Sequence, residues 1–189
     1  AVLNADDPRL LHLAQYTSRK VLFFGRSKNA RIRALSVKGT ETGLCFALAL
    51  PEERITVDLK TPAVFMISNA LAAAAVGYLL GLTAGEIKDG LEAFKPVTGR
   101  MNILKIGRGI TIIDDTYNAN PDSMKAAINT LGSLKGSHSG ILVAGDMLEL
   151  GPHAESMHRN IGRIAAGSAI AKLYVTGEFA RTMAAGAMD

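Results

Sequence analysis

Apolar residues in this chain fall into short blocks separated by Gly, Pro and Asn/Asp clusters, and their spacing changes along the sequence. Ala1–Leu3 reads as a short buried strand that ends at Asn4-Ala5-Asp6-Asp7-Pro8. Pro8 then opens a helix to about Thr17, with Leu10, Leu11, Leu13 and Ala14 inward and Asp6 or Asp7 as its cap. Over residues 20–60 the period drops to two. Strands at 21–24, 30–38, 44–50 and 54–59, with turns at Gly25, 39–43 and 51–53, predict an antiparallel meander. Ser68–Leu80 is apolar nearly all round and predicts a buried helix, leaving Asn69 as a buried amide in need of partners. Thr83 caps a second helix, Ala84–Phe94, with Ile87, Leu91 and Phe94 on one face.

Residues 95–100 show no apolar period and contain Pro96 and Gly99. The domain boundary is placed there, giving domains at 1–97 and 98–189. A hairpin follows, Met101–Ile106 and Ile110–Asp114 around Gly107-Arg108-Gly109. Pro121–Leu134 reads as a helix, Ile141–Ala144 as a buried strand and Ala154–Ala166 as a helix. Leu173–Thr176 is a strand again, and Phe179–Met188 a last helix. The order ββαβαβα implies a Rossmann-like domain with a mainly parallel sheet. The class is α/β, with an antiparallel meander and helices in the first part.

The stretch from Ile113 to Met124 concentrates chemistry. An apolar run delivers Asp114 and Asp115 to a polar loop, and Pro121 opens the next helix. Ligands of open α/β domains sit at such points, beyond a strand's carboxyl end and at the free N–H groups of a helix. Two readings stay open here: a well-capped connection, or one wall of a nucleotide site. Asp146 follows the strand at 141–144, and one parallel sheet would bring both carboxylate loops to the same rim.

Composition narrows the picture. The chain has 189 residues, 48% hydrophobic and 20% charged, with a formal charge of +4. No basic run alternates with aromatics, which argues against nucleic acid. The cluster Arg26, Lys28, Arg31 and Arg33 reads as a solvated face. Cys45 is the single cysteine, so no internal disulfide forms, and a packed thiol in a reducing compartment is expected. The apolar stretch 67–82 is too short and too interrupted to span a membrane. No signal peptide is visible. The chain begins as a strand already in progress, without an initiator Met, so a piece of a longer protein is expected.

No G-x-x-x-x-G-K-[ST] phosphate loop and no G-x-G-x-x-G after a strand occurs. No Cys/His set has metal-ligand spacing, and His153 and His158 lie five apart. The residues can hold a nucleotide but include no evident nucleophile. On its own residues the chain reads as part of an active site.

Asp114-Asp115-Thr116-Tyr117-Asn118-Ala119-Asn120-Pro121-Asp122-Ser123-Met124, then Gly145-Asp146-Met147-Leu148-Glu149-Leu150-Gly151 and His158, resembles the Mur ligases, in particular their D-alanyl-D-alanine-adding branch. Asn4-Ala5-Asp6-Asp7-Pro8, Asn69-Ala70-Leu71-Ala72-Ala73 and Thr98-Gly99-Arg100 agree with it. The resemblance implies the C-terminal part of a central ATPase domain over 1–97 and a truncated C-terminal ligase domain over 98–189. The family's phosphate loop and most ligands for Mg2+ would precede Ala1.

The implied reaction joins D-alanyl-D-alanine to UDP-N-acetylmuramoyl-tripeptide through an acyl phosphate, at the expense of ATP, with this chain inactive alone. By resemblance, Asn69 faces adenine and Arg100 reaches the phosphates or ribose. Asp115, or less favourably Asp114, accepts from ribose hydroxyls, and Tyr117, Asn118 and Asn120 line the ATP and acyl-phosphate side. Asp146, Met147, Glu149 and His158 would serve the dipeptide. Phe65-Met66 departs from a His-Asn pair frequent in the family. The resemblance further implies a cytoplasmic, monomeric enzyme with small-molecule partners, no nucleic acid and no membrane span. Alternatives are a non-catalytic nucleotide-binding module and a related ligase such as folylpolyglutamate synthase.

Overall fold

Five strands form one mixed sheet in the first half of the chain: β1 (Val2–Asn4), β2 (Leu22–Gly25), β3 (Ile32–Gly39), β4 (Leu44–Ala49) and β5 (Arg54–Leu59). The computed structural model describes residues 1–40, 43–168 and 170–189, which divide into two units, Ala1–Lys95 and Pro96–Asp189. The turn expected over 39–43 includes residues 41 and 42, which lie outside the described ones.

Side chains alternate across the pleat as period two demands. Leu44, Phe46 and Leu48 share a face with Val57 and Leu59 and pack against α2 (Met66–Leu79) and α3 (Ala84–Ala93). Ile32, Phe46, Leu48 and Leu71 are at most 1% exposed, and each such side chain contributes roughly 1.5–3 kcal/mol by leaving water. Thr83 and Glu86 form a reciprocal capping box at the start of α3.

The strands at 20–60 are only partly a meander. β3, β4 and β5 are antiparallel neighbours, but β2 pairs with β3 in parallel. The basic cluster therefore sits on a parallel connection and not on a hairpin. Asp6 explains the reversal. Its carboxylate accepts from Arg26 N–H at 2.8 and 3.0 Å and from Ser27 N–H at 2.8 Å. That turns the chain back after Gly25, and Arg31 N–H then donates to Phe23 O at 2.9 Å. Gly25 lies at φ +152°, and a Cβ there would stand 2.8 Å from an Asp6 oxygen.

Two helices differ from the pattern. α1 (Pro8–Leu13) is capped by Asp7, passes into a 3-10 turn and has no buried residue, so its leucines do not form a core face. α2 buries only one side; Val76, Leu79 and Leu80 are exposed, as is Asn69. Small residues at Ala70, Ala74 and Gly77 bring α2 close to its neighbours, and its remaining apolar surface stays uncovered within this unit.

In the second unit β6 (Asn102–Lys105) and β7 (Thr111–Asp114) form the expected antiparallel hairpin. Its turn residues Gly107, Arg108 and Gly109 are all left-handed. β8 (Ile141–Ala144) and β9 (Lys172–Val175) pair in parallel. α4 (Pro121–Leu134), α5 (Ala154–Ala166) and α6 (Ala180–Met188) supply the rest. Ile128, Ala144, Met147, Ile161, Ala165 and Met183 form the core. Among the described residues β7 pairs only with β6 and β8 only with β9. The tight hairpin satisfies β7 on one edge, and Ile110 and Ile112 remain exposed. The α/β class with parallel β8–β9 pairing is as expected, but among the described residues no ladder joins β7 to β8.

Asp146 repeats the role of Asp6. It accepts from Glu178 N–H at 2.7 Å and Phe179 N–H at 3.1 Å, just beyond β9. Gly177, at φ +106°, faces this carboxylate with no room for a Cβ. Replacing Gly25 or Gly177 by Ala should destabilise the protein by roughly 2–4 kcal/mol, from backbone strain plus displaced charge-assisted hydrogen bonds. Denaturant unfolding checks this, and an unchanged midpoint for either variant would show that its carboxylate clamp is dispensable.

Candidate functional site

Three short-range contacts build the loop after β7. Asp114 Oδ1 accepts from Thr116 Oγ1–H at 2.7 Å and from Thr116 N–H at 3.3 Å, which curls the chain. Asn120 caps α4: its Oδ1 accepts from Ser123 N–H at 2.9 Å, and its own N–H donates to Ser123 Oγ at 3.0 Å. Pro121 occupies the first turn, where no N–H is needed. Asn118 Oδ1 accepts from Ala119 N–H at 2.9 Å.

The loop is also tied to the segment before β6. Tyr117 N–H donates to Gly99 O at 3.0 Å, and Met101 N–H donates to Asp115 Oδ1 at 3.1 Å. The Arg100 guanidinium lies over the Tyr117 ring, 4.2 Å from its centroid. Met101 is 3% exposed and left-handed at φ +53°. Side-chain pattern does not identify Met101, because backbone handedness leaves no mark in hydrophobic spacing. Gly99 carries a readable signal: a glycine beside a predicted boundary, here needed because a Cβ would lie 3.2 Å from Tyr117 N.

Arg100, Asp115 and Tyr117 thus come together. Asp115 is half-buried, and burial is the first cause that pushes its carboxyl above the ordinary range; the Met101 N–H and the Arg100 charge oppose it. Its Oδ2 makes no hydrogen bond among the described residues. A free carboxylate oxygen, a cation and an exposed ring on one edge can meet hydroxyls and an anion. Asp114, whose Oδ1 is occupied by Thr116, is the poorer acceptor.

Asp146, Met147 and His158 form a separate cluster. His158 is fully buried and stacks on Phe179 with centroids 4.4 Å apart. Its Nε2 accepts from Met147 N–H at 2.9 Å. Nδ1 must then carry the proton and donate to Ala154 O at 2.7 Å. The Asp146 carboxylate at 4.0 Å is therefore next to a neutral ring and not ion-paired with it. The expected substrate-side role does not suit the buried Met147 and His158 side chains: Met147 packs in the core, and His158 holds the loop through Met147 N–H. Glu149 is exposed and left-handed at φ +61°. It is the member of this group that faces solvent.

Asn69, in the first unit, is exposed at the start of α2, with Nδ2 3.4 Å from Met66 Sδ. It borders an apolar groove of about 300 Å³ between α2 and α3, lined in part by Met66, Ala73, Gly90 and Phe94. The buried amide expected from the helix pattern is instead a rim group. A cleft of about 430 Å³ combines Lys28, Arg31, Arg33 and Arg54 with Glu52 and Glu53, and contains no part of the loop after β7. Among the described residues no group of three or more His, Cys, Asp or Glu could hold a metal ion.

Family models match both halves: the Mur ligase middle domain over residues 1–77 and the Mur ligase glutamate ligase domain over 99–188. The UDP-N-acetylmuramoyl-tripeptide–D-alanyl-D-alanine ligase of Escherichia coli is 36% identical over 180 residues, 94% of this chain and 39% of that protein. The UDP-N-acetylmuramoyl-L-alanyl-D-glutamate–2,6-diaminopimelate ligase of Halalkalibacterium halodurans is 40% identical over 134 residues, 71% of this chain and 27% of that protein. The crystal structure of a Thermotoga maritima MurF ligase in complex with ADP aligns with a TM-score of 0.83 and 27% identity, covering 97% of this chain and 42% of that one. The chain thus spans about two fifths or less of these relatives.

The raised carboxyl of Asp115 has a pH signature. Ionised Asp115 costs stability, because folding disfavours its charge. The cost is absent below the ordinary carboxylate range, where the group is protonated folded and unfolded. It is fully present once pH exceeds the raised folded value. Asp115→Asn keeps an acceptor for Met101 N–H. It should melt higher than the parent at neutral pH, and the difference should vanish in acid. A gain of equal size at both pH values would mean that charge is not its source.

Proposed function

Because the chain belongs to the Mur ligase family, we propose that it carries the adenosine-facing wall of an ATP site in a ligase that adds D-alanyl-D-alanine to UDP-N-acetylmuramoyl-tripeptide. The observation that carries this reading is the joint placement of Arg100, Asp115 and Tyr117 by the Gly99–Met101 segment. In this reading residues 1–97 belong to the central ATPase domain and 98–189 to the C-terminal ligase domain. The partners are the small-molecule substrates, in the cytoplasm.

The proposed chemistry has two steps. The tripeptide carboxylate attacks the γ-phosphorus of ATP, forming an acyl phosphate and releasing ADP. The amine of D-alanyl-D-alanine then attacks the acyl carbon; phosphate leaves, the amine loses a proton, and an amide results. Such transfers need positioning and charge neutralisation more than covalent help from the protein. Asp115 Oδ2 accepts from the ribose hydroxyls, and Arg100 meets the phosphates. Tyr117, Asn118 and Asn120 line the same side, the two amides through Nδ2 because their Oδ1 atoms are engaged by backbone. Asn69 offers its amide to the adenine edge. The loop 145–151 contributes Glu149 to the dipeptide side. Mg2+, in this reading, is held mostly by residues outside this chain.

The likeness to the diaminopimelate-adding relative favours a second reading, in which the accepted amine is that of an amino acid. Phosphate release from ATP and the tripeptide substrate separates the two. The full-length protein should release phosphate with D-alanyl-D-alanine and not with diaminopimelate; the reverse preference would transfer it to the sister activity. The present chain alone should release none, since its sequence contains no phosphate loop. Asp115→Ala in the full-length protein should raise the KM for ATP about tenfold through lost hydroxyl bonds. An unchanged KM would remove Asp115 from the ribose.

A further inference from the structure

Arg100 makes no ion pair and no side-chain hydrogen bond among the described residues, although the Asp115 carboxylate is near enough to act on it electrostatically. The Arg100 guanidinium lies over the face of the Tyr117 ring, 4.2 Å from the centroid. That ring is itself fixed through its backbone. Tyr117 N–H is bonded to Gly99 O, and the absence of a Cβ at Gly99 lets the two chains approach. The Tyr117 hydroxyl has no hydrogen-bond partner among the described residues.

A guanidinium held by its face differs from one held by a carboxylate. An ion pair consumes in-plane N–H donors and cancels the charge. A stacked ring takes neither, because the attraction comes from the ring quadrupole acting on the flat side of the cation. The five donors of Arg100 are left without a hydrogen-bond partner among the described residues, and the charge remains available to an anion. Asp115 gives its Oδ1 to Met101 N–H and makes no hydrogen bond to Arg100 among the described residues.

We propose that Tyr117 is the positioning residue for Arg100: its ring face holds the guanidinium so that the donors meet the phosphates of the bound nucleotide. This rests on the reading above that Arg100 faces the nucleotide, and it assigns the ring, not the hydroxyl, as the working part of Tyr117. Tyr117 is 66% exposed even with the arginine over its ring, so both side chains remain open to a ligand.

The test uses the full-length protein with Y117F, Y117L, R100A and R100A/Y117L, read as KM for ATP, kcat and calorimetric ADP affinity, with thermal melts for each. Y117L should raise the KM for ATP about three- to thirtyfold with kcat nearly unchanged, the range expected for losing a cation–π contact. Y117F should recover most of that loss. In the R100A background Y117L should add less than about twofold, because the partner is already gone. If R100A alone leaves ATP and ADP affinity unchanged, the reading of Arg100 itself falls. If R100A weakens binding but Y117L does not, only the positioning role falls. Equal losses from Y117F and Y117L would assign the effect to the hydroxyl and overturn it too.

Discussion

A carboxylate two residues beyond a strand, accepting the backbone N–H groups just past the neighbouring parallel strand, is the contact on which both units depend. Parallel strands leave such N–H groups pointing beyond the ladder, where no strand partner remains. Asp6 takes them at Arg26 and Ser27, and Asp146 takes them at Glu178 and Phe179. Each charge-assisted bond contributes about 1.5–3 kcal/mol, enough to choose between routes of a short connection. In the first unit this sets β3 alongside β2 in the same direction. In the second it fixes the start of α6. The cost appears in sequence as Gly25 and Gly177, the residues opposite each carboxylate.

The same economy of polar atoms separates structure from function in the candidate site. Asp114, Asn120 and His158 are occupied by backbone or by a neighbour's hydroxyl. They shape loops and leave little for a ligand. Among the described residues, the groups left without a partner include the second oxygen of Asp115, the donors of Arg100, the Tyr117 hydroxyl, the amide nitrogens of Asn118 and Asn120, and the carboxylate of Glu149. These belong to the second unit. Asn69 is the corresponding free group of the first. A residue's presence in a motif therefore does not fix its duty; the hydrogen-bond inventory divides the motif into supports and contacts.

Much of this was legible in the sequence. Pro121–Leu134, Ile141–Ala144, Ala154–Ala166 and Arg54–Leu59 have the bounds that period, caps and turn residues imply. The loop with Asp115 and Tyr117 was also readable, since apolar strand, paired carboxylates and Asn-Ala-Asn-Pro occur together. The parallel β2–β3 pairing was not. A connection of six residues ordinarily means a hairpin, and the agent that overrides this, Asp6, lies twenty residues upstream. α1 misled because leucines at helical spacing bury only if another element covers them. That no ladder joins β7 to β8 among the described residues was hidden for a related reason: strand order in the chain does not state which edges pair.

Met101 shows how the site tolerates an unfavourable backbone. A left-handed conformation costs a non-glycine residue about 1–2 kcal/mol. Against that stand a hydrogen bond to a charged acceptor, about 1.5–3 kcal/mol, and burial of a methionine side chain, about 1.5–3 kcal/mol. The balance favours the observed geometry, and the bond to Asp115 widens the margin. Asp115 thus serves two ends with two oxygens: Oδ1 maintains the turn that presents Arg100, and Oδ2 faces outward. Truncation to Ala removes both at once, whereas Asn keeps the first and alters the charge of the second. A comparison of the two substitutions therefore separates the support of Arg100 from direct contact with a ligand, within a single side chain.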